Sequence, residues 1–259
     1  MLDRLAPTRA DEERRGHGPR LAAVTGPLVV RFRAWALDTP RAGALTRARV
    51  ELENAGSATW RDDVRVSYHW LDELGNPIVW DGLRTALPGP VAPGERLELE
   101  LRVRAPIPPG RYGFALDLVA ERRAWFGELG GEPVEAEVEV RPRVEGADVW
   151  EVADVHVPDR CEPAPDWAER VLAAHAEGYA VVAGAIEAPR RLGKALAPWA
   201  PGAGRVPGFG HPLLCPSILK GIEAERLPDV EGLPAFAPPA EEPWIYDGRL
   251  VLELRRARG

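Results

Sequence analysis

The sequence predicts a mainly β protein, an N-terminal antiparallel β-sandwich followed by a small α/β domain with a long irregular Pro/Gly-rich stretch. Three observations carry that prediction. Between residues 28 and 140, short segments alternate apolar and polar side chains with turn residues between them, as half-buried strands do. Beyond residue 146 the pattern becomes an apolar segment, a segment of helical period and a second apolar run. From 198 to 243 sustained periodicity gives way to Pro and Gly. The expected organisation is a disordered lead-in at 1–25, a sandwich at 26–142 and an α/β domain at 143–259.

The lead-in is polar, Arg-rich and broken by Gly and Pro. Val29, Phe32 and Trp35 begin the first strand region, and residues 48–53 (Ala-Arg-Val-Glu-Leu-Glu) alternate strictly. Residues 64–70 alternate again. In 97–103 every second residue is apolar, so Leu97, Leu99, Leu101 and Val103 should point inward, with Glu98, Glu100 and Arg102 outward. Residues 114–119 and 134–140 complete the series. Asn54-Ala55-Gly56, Leu74-Gly75-Asn76-Pro77, Asp81-Gly82, Ala92-Pro93-Gly94 and Pro108-Pro109-Gly110 are the turn signals between strands. In the second domain, residues 149–157 suit a strand. Pro165 suits the opening of a helix, with Trp167, Val171, Ala174 and His175 on one face and Gly178 as its stop. The apolar run 179–186 suits a buried strand, so the segment reads as a βαβ unit. A short helix is expected at 190–197. A closing strand at 245–254 is expected after a turn at Asp247-Gly248.

Composition bounds the function. The 259 residues are 45% hydrophobic and 28% charged with a net charge of -7, enough chain to bury a core without metal or disulfide staples. Gly (26) and Pro (27) make loops plentiful. Lys occurs only at Lys194 and Lys220, so Arg supplies nearly all the positive charge. A pI near 5.4 argues against a generic grip on nucleic acid or anionic membrane. No apolar run reaches the ~18–20 residues of a spanning helix. The charged first twenty residues lack the apolar core of a signal peptide. Two cysteines are too few for a disulfide framework. The expectation is a cytoplasmic protein.

The sandwich residues carry a family pattern. Asn54-Ala55-Gly56-Ser57-Ala58-Thr59-Trp60, then Pro93-Gly94-Glu95, then Ala105-Pro106-Ile107-Pro108-Pro109-Gly110-Arg111-Tyr112, then Phe126-Gly127, occur in that order. This resembles the Ig-like domain of the next-to-BRCA1 type, over roughly residues 28–140. The resemblance implies an Ig-like fold and a non-catalytic binding or spacer role. Asn54 and Gly56 suit a turn needing positive φ, and Trp60 is placed to cap the sandwich end.

Residues 161–167 (Cys-Glu-Pro-Ala-Pro-Asp-Trp), then Ala173-Ala174-His175, then the run from Gly178 through Glu187, are similar to family 2 glycosyltransferases of the GT-A fold. In that family an acidic cluster closing a strand binds the divalent metal that holds a nucleotide-sugar diphosphate. Pro158-Asp159-Arg160 stands in its place here, so the resemblance points to Asp159 and Glu162 as the carboxylates. Arg160 opposes a metal, and Pro163 restricts where Glu162 can aim. The expectation is no metal-dependent nucleotide-sugar binding.

Other constellations are weighed on their chemistry. His156, Cys161, His211 and Cys215 make a Cys₂His₂ set, but the spacings H-x₄-C and H-x₃-C match no common zinc pattern. Buried cysteine as a small hydrophobe is the commoner use, so both thiols are expected free. A nucleophilic arrangement would draw on Ser217 or Cys215 with His211 or His175; there is no G-x-S-x-G elbow, and Ser57, Ser67 and Ser217 are the only serines. Gly202-Ala203-Gly204 and Gly208-Phe209-Gly210 lack the strand-to-helix context of a phosphate loop. Among nine tryptophans, Trp70, Trp80 and Trp125, with Tyr68 and His69 nearby, form a candidate sugar-stacking platform. Asp81, Arg84, Asp117 and Glu121 are candidate hydrogen-bonding neighbours. Against this, aromatic residues that alternate along strands mostly serve a core.

The expected function is a non-catalytic binding or accessory protein, associated with bacterial glycan assembly. Its ligand-binding residues would be Trp70, Trp80, Asp81, Arg84 and Trp125. Two alternatives are a divergent glycosyltransferase-like enzyme with a divalent metal and a structural protein–protein spacer. The expected partner is a glycan or a protein, with neither nucleic acid nor membrane span, and no cofactor.

Overall fold

The computed structural model describes residues 26–146, 148–202 and 204–255; the N-terminal lead-in falls outside them. The first half is built of β1 (Val30–Leu37), β2 (Leu45–Asn54), β3 (Val64–Leu71), β4 (Pro77–Val79), β5 (Thr85–Ala86), β6 (Arg96–Arg104), β7 (Gly110–Ala120), β8 (Ala124–Trp125) and β9 (Val134–Val140). They form two antiparallel sheets, one of order β1-β2-β6 and one of order β4-β3-β7-β8 with β5 on β3 and β9 on β7. The alternation in β6 holds: Leu101 and Val103 are buried, Leu97 and Leu99 half-buried, and Glu98, Glu100 and Arg102 exposed. These residues meet Val66, Tyr68, Trp70, Phe114, Leu116 and Leu118 of the facing sheet in one buried cluster. Two polar handles pin the sheets together. The Trp70 indole donates to the Arg104 carbonyl at 2.9 Å, and the Tyr68 hydroxyl accepts from the Arg104 amide at 2.8 Å.

The Asn54–Trp60 turn closes one end of the sandwich. The buried Asn54 amide donates to the Ala58 and Val91 carbonyls, both at 2.9 Å, and its oxygen accepts from Gly56 N at 3.0 Å. Trp60 is fully buried and lies edge-on to Phe126 at 5.6 Å. Gly56 is needed for a different reason than the sequence implied. Its φ is not positive; a Cβ there would instead meet the Pro27 carbonyl oxygen at 2.5 Å.

The second half has its own buried apolar cluster. Its strands are β10 (Ala153–Val155), β11 (Cys161–Pro163), β12 (Val181–Glu187), β13 (Leu213–Leu214), β14 (Ser217–Leu219), β15 (Arg226–Val230), β16 (Leu233–Phe236) and β17 (Trp244–Leu254). One sheet has the order β10-β14-β12-β17-β11 and the other β13-β16-β15. The helix Trp167–Glu177 buries Trp167, Val171, Ala174 and His175 and ends at Gly178, as its period requires.

Several expectations need correction here. Residues 149–157 are not one strand: Asp148 accepts from Trp150 N and starts a single helical turn, Val149–Val152, before β10. Residues 190–197 form successive turns and the start of a 3₁₀ turn rather than an α-helix. The stretch 198–243 carries β13 to β16, and β14 lies inside the five-stranded sheet. Asp247-Gly248 is not a hairpin turn. β17 runs parallel to β12 throughout, and residues 248–250 bulge out where the register jumps between Gly184 and Ala185. The βαβ expectation holds only for β10 and β12. Both run antiparallel to β14, which is inserted between them.

The two halves meet at a charged joint. Arg143, its side chain 7% exposed, donates to the carbonyls of Gly43 (2.9 Å) and Gly178 (3.0 Å) and pairs with Glu242 at 2.8 Å. Arg104 also reaches Gly43 O and Glu242. Gly43 (φ +65) and Gly178 (φ +140) touch there, and a Cβ on Gly43 would collide with the Gly178 carbonyl.

Candidate functional site: an aromatic and charged patch on the sandwich

Strand alternation decides which side chains of β3 and β7 reach the outer face. Val66, Tyr68 and Trp70 point into the core, so Ser67 and His69 point out. On β7, Asp117 stands opposite Ser67 and Ala115 opposite His69. Trp125 on β8 and the segment following β4 fold over this face.

His69 is the centre of the patch. Its ring stacks on Trp80 with centroids 4.1 Å apart and planes 21° apart, and lies 4.3 Å from Trp125 at 60°. Its Nδ1 is bonded to the Trp80 carbonyl, while Nε2 is buried with no partner. Burial lowers the pKa of His69, favouring the neutral ring. Arg84 lies 4.6 Å over the Trp125 ring, donates to Ser67 Oγ at 2.8 Å, and pairs with Asp81 at 2.7 Å and Glu121 at 3.2 Å. Trp80 keeps 45% of its surface in solvent, and Ile78 and Leu83 nearby in the chain are also exposed. Beneath the patch, Asp117 is buried and accepts from Leu118 N (2.7 Å) and Gly127 N (3.0 Å). Burial, reinforced by the charge of Glu128, nevertheless pushes its pKa up to about 6.

Trp80, Asp81, Arg84 and Trp125 therefore converge. Trp70 does not: it is fully buried on the opposite face, where odd-even alternation puts it, and is unavailable to a ligand. Ser67, which orients Arg84, was missed because a lone Ser in a strand carries no pattern signal. Ile78 and Leu83 were missed because apolar residues between turn signals read as minor strand content.

The candidates in the second half are arranged differently. Asp159 lies in the exposed turn between β10 and β11, not at the end of a strand leading directly into the helix. Glu162 is exposed on β11, its carboxylate taken by Arg255 at 2.8 Å. His156 packs 4.6 Å from Phe236, and His211 lies between Trp199 and Phe209, while Cys161 and Cys215 are buried free thiols. The four thus do not converge, and among the described residues no three His, Cys, Asp or Glu side chains are grouped to hold a metal. His175 and Ser217 do meet: Nε2 lies 2.9 Å from the hydroxyl, and Nδ1 lies 2.8 Å from the Tyr179 carbonyl. Both residues are wholly buried, so the pair ties the helix to β14 with no access for substrate.

Fold and site together define an Ig-like β-sandwich protein with an aromatic surface patch and a small α/β part. No family model and no curated protein matches the chain. Among solved structures, the C-terminal domain of Wzt matches at 10% identity with a TM-score of 0.33, covering 48% of this chain and 79% of that one. A CARDB domain from Pyrococcus furiosus matches at 15% identity and TM-score 0.29, covering 44% and 94%. A PapD-like domain of human CEP192 matches at 13% identity and TM-score 0.25, covering 51% and 94%. At these scores the likeness carries no functional argument.

Proposed function

We propose that this chain is a non-catalytic binding or accessory protein, working without a cofactor in the cytoplasm, whose Ig-like sandwich of the next-to-BRCA1 type holds a glycan against Trp80 in bacterial polysaccharide assembly. The observation that supports it is the Trp80 indole. It is braced on one face by His69, kept nearly half in solvent, and followed by the charged side chains of Asp81 and Arg84. A flat aromatic face suits the apolar face of a sugar ring, and charged donors and acceptors beside it suit sugar hydroxyls. Bacterial polysaccharide oligosaccharides titrated against intrinsic tryptophan fluorescence test this reading. Trp80→Ala is expected to weaken binding about tenfold or more, ~1.4 kcal/mol. Trp150→Ala, an exposed indole in the other half, leaves it unchanged. Absence of glycan binding, or equal binding by Trp80→Ala, overturns the reading. A second reading, a protein-docking spacer, draws support from the exposed apolar side chains Leu74, Ile78, Leu83 and Leu129, which lie close in the chain to the patch residues. In that case Leu83→Ser would lower partner capture while glycans stay unbound.

A further inference from the structure

Strand β6 stands at the edge of its sheet, with β2 on one side and no strand on the other. Two hydrogen bonds fix which way its peptide groups point. Asn54 N donates to Glu95 O and Ala105 N to Ala44 O, both at 3.0 Å, one at each end of an unbroken register. Bonded positions alternate along an antiparallel pair, so Leu97, Leu99, Leu101 and Val103 turn their peptide groups to β2. Those of Arg96, Glu98, Glu100, Arg102 and Arg104 point away from it. Arg104 shows this directly, because its amide and carbonyl bond to Tyr68 and Trp70 of the facing sheet. The others meet no strand among the described residues and form a template for one.

The charges on this edge are unbalanced. Glu98, Glu100 and Arg102 are all exposed on the outer face. The register sets Glu98 directly opposite Glu51 and Arg102 directly opposite Arg47, like against like, which is destabilising. Glu100 has Arg47 at 3.6 Å and Arg96 has Glu53 at 2.9 Å, but among the described residues Glu98 and Arg102 have no ion pair. On the inner face, Leu97 and Leu99 are only half-buried, whereas Leu101 and Val103 are buried.

We propose that β6 pairs antiparallel with β6 of a second copy of this chain, about a two-fold axis at Glu100, so that two sandwiches share one continuous sheet. In that register Glu98 exchanges both backbone hydrogen bonds with the partner's Arg102, and Glu100 does so with the partner's Glu100. Symmetry repeats the Glu98–Arg102 pair, giving each charge the counter-charge that its own sheet denies it. Each Glu100 keeps its own Arg47. On the inner face Leu97 meets the partner's Val103 and Leu99 the partner's Leu101, covering the half-buried leucines. The neighbouring registers fail. Shifted one way, Arg96 meets the partner's Arg102 and Glu98 the partner's Glu100, like charges at every outer pair. Shifted the other way, pairing needs the Arg104 peptide groups, which Tyr68 and Trp70 already hold. A short edge buries little area, so the dimer is weak, with a dissociation constant on the order of 10–100 μM.

Sedimentation equilibrium of the full chain, from on the order of 1 μM to 1 mM, tests this. The wild type should pass from monomer to dimer. Glu98→Arg sets arginine against the partner's Arg102, and Arg102→Glu sets glutamate against the partner's Glu98. Each should weaken dimerisation about tenfold or more. Neither should lower the urea midpoint, because each also removes a like-charge pair with β2. Mixed together, the two variants have opposite charges at both pairs, so the mixture should associate where neither variant does alone. A wild type that stays monomeric over that range, a dimer indifferent to either substitution, or a mixture no more associated than its components overturns the proposal.

Discussion

Asp117 and His175 lie buried in different halves of the molecule, and burial moves them in opposite senses. The His175 pKa falls to about 4, because burial disfavours the charged imidazolium and the nearby Arg143 charge adds to that, outweighing the hydrogen bond to the Tyr179 carbonyl. Between pH ~4 and ~6.5 the unfolded chain therefore binds more protons at this position, and stability rises with pH. Asp117, raised to about 6, does the reverse: folding holds the proton, and stability falls as pH climbs from ~4 to ~6. Each group is worth roughly 3 kcal/mol across its window, so the two slopes largely offset. Asp117→Asn should remove one of them. Relative to wild type, the variant is expected to gain stability steadily from pH ~4 to ~6, by roughly 3 kcal/mol in denaturant titrations. A wild-type-minus-variant difference that stays flat with pH would show that Asp117 is not held protonated. At this scale the candidate site was legible in part. Aromatic residues near Asp81 and Arg84 are visible in the sequence, but which of Trp70 and Trp80 faces solvent depends on strand register and on the fold-over of the segment after β4.

At the scale of elements, the turn that Asn54 organises joins β2 to the stretch leading into β3. Its side chain makes three hydrogen bonds to backbone groups, two of them to carbonyls 37 and 4 positions away, the farther of which, Val91 O, also accepts from Trp60 N. Asn54→Ala should cost about 2–4 kcal/mol, since buried donors and acceptors are left unpaired. The loss should appear as a lower urea midpoint with an unchanged slope. Asn54→Asp is expected to cost at least as much as Asn54→Ala, because it sets a buried carboxylate oxygen against the Ala58 and Val91 carbonyls. The strands that periodicity missed share a cause. β13 and β14 are two and three residues long, with Pro212 before the first and Pro216 between them, so neither shows an alternation to count. Their place is set by partners far away: β14 pairs with β10 and β12.

At the scale of the molecule, the halves are held by the Arg143–Glu242–Arg104 cluster and the Gly43–Gly178 contact. One carboxylate, 22% exposed, serves two guanidinium groups, one of them nearly buried. Glu242→Ala leaves Arg143 buried without its counter-charge. It should destabilise by about 2–3 kcal/mol, less than a fully buried pair because water reaches Glu242. Limited proteolysis should then cut first near residues 141–148, while tryptophan emission from the sandwich core stays native until global unfolding. Cleavage unchanged from wild type would mean that apolar contacts such as Ile107 against Gly178 suffice for the joint.

The chain's own pattern carries the two-part architecture, the β6 alternation, the helix face from Trp167 to His175 and the closing strand near the C-terminus. Each of these rests on side chains within about ten residues of one another, where backbone period alone relates position to face. The insertion of β14 between β10 and β12, the meeting of His175 with Ser217, and the burial of Trp70 while Trp80 stays partly in solvent are of another kind. They depend on which distant strands pair and in what register. That choice is made by the summed burial of the whole core, not by any local segment.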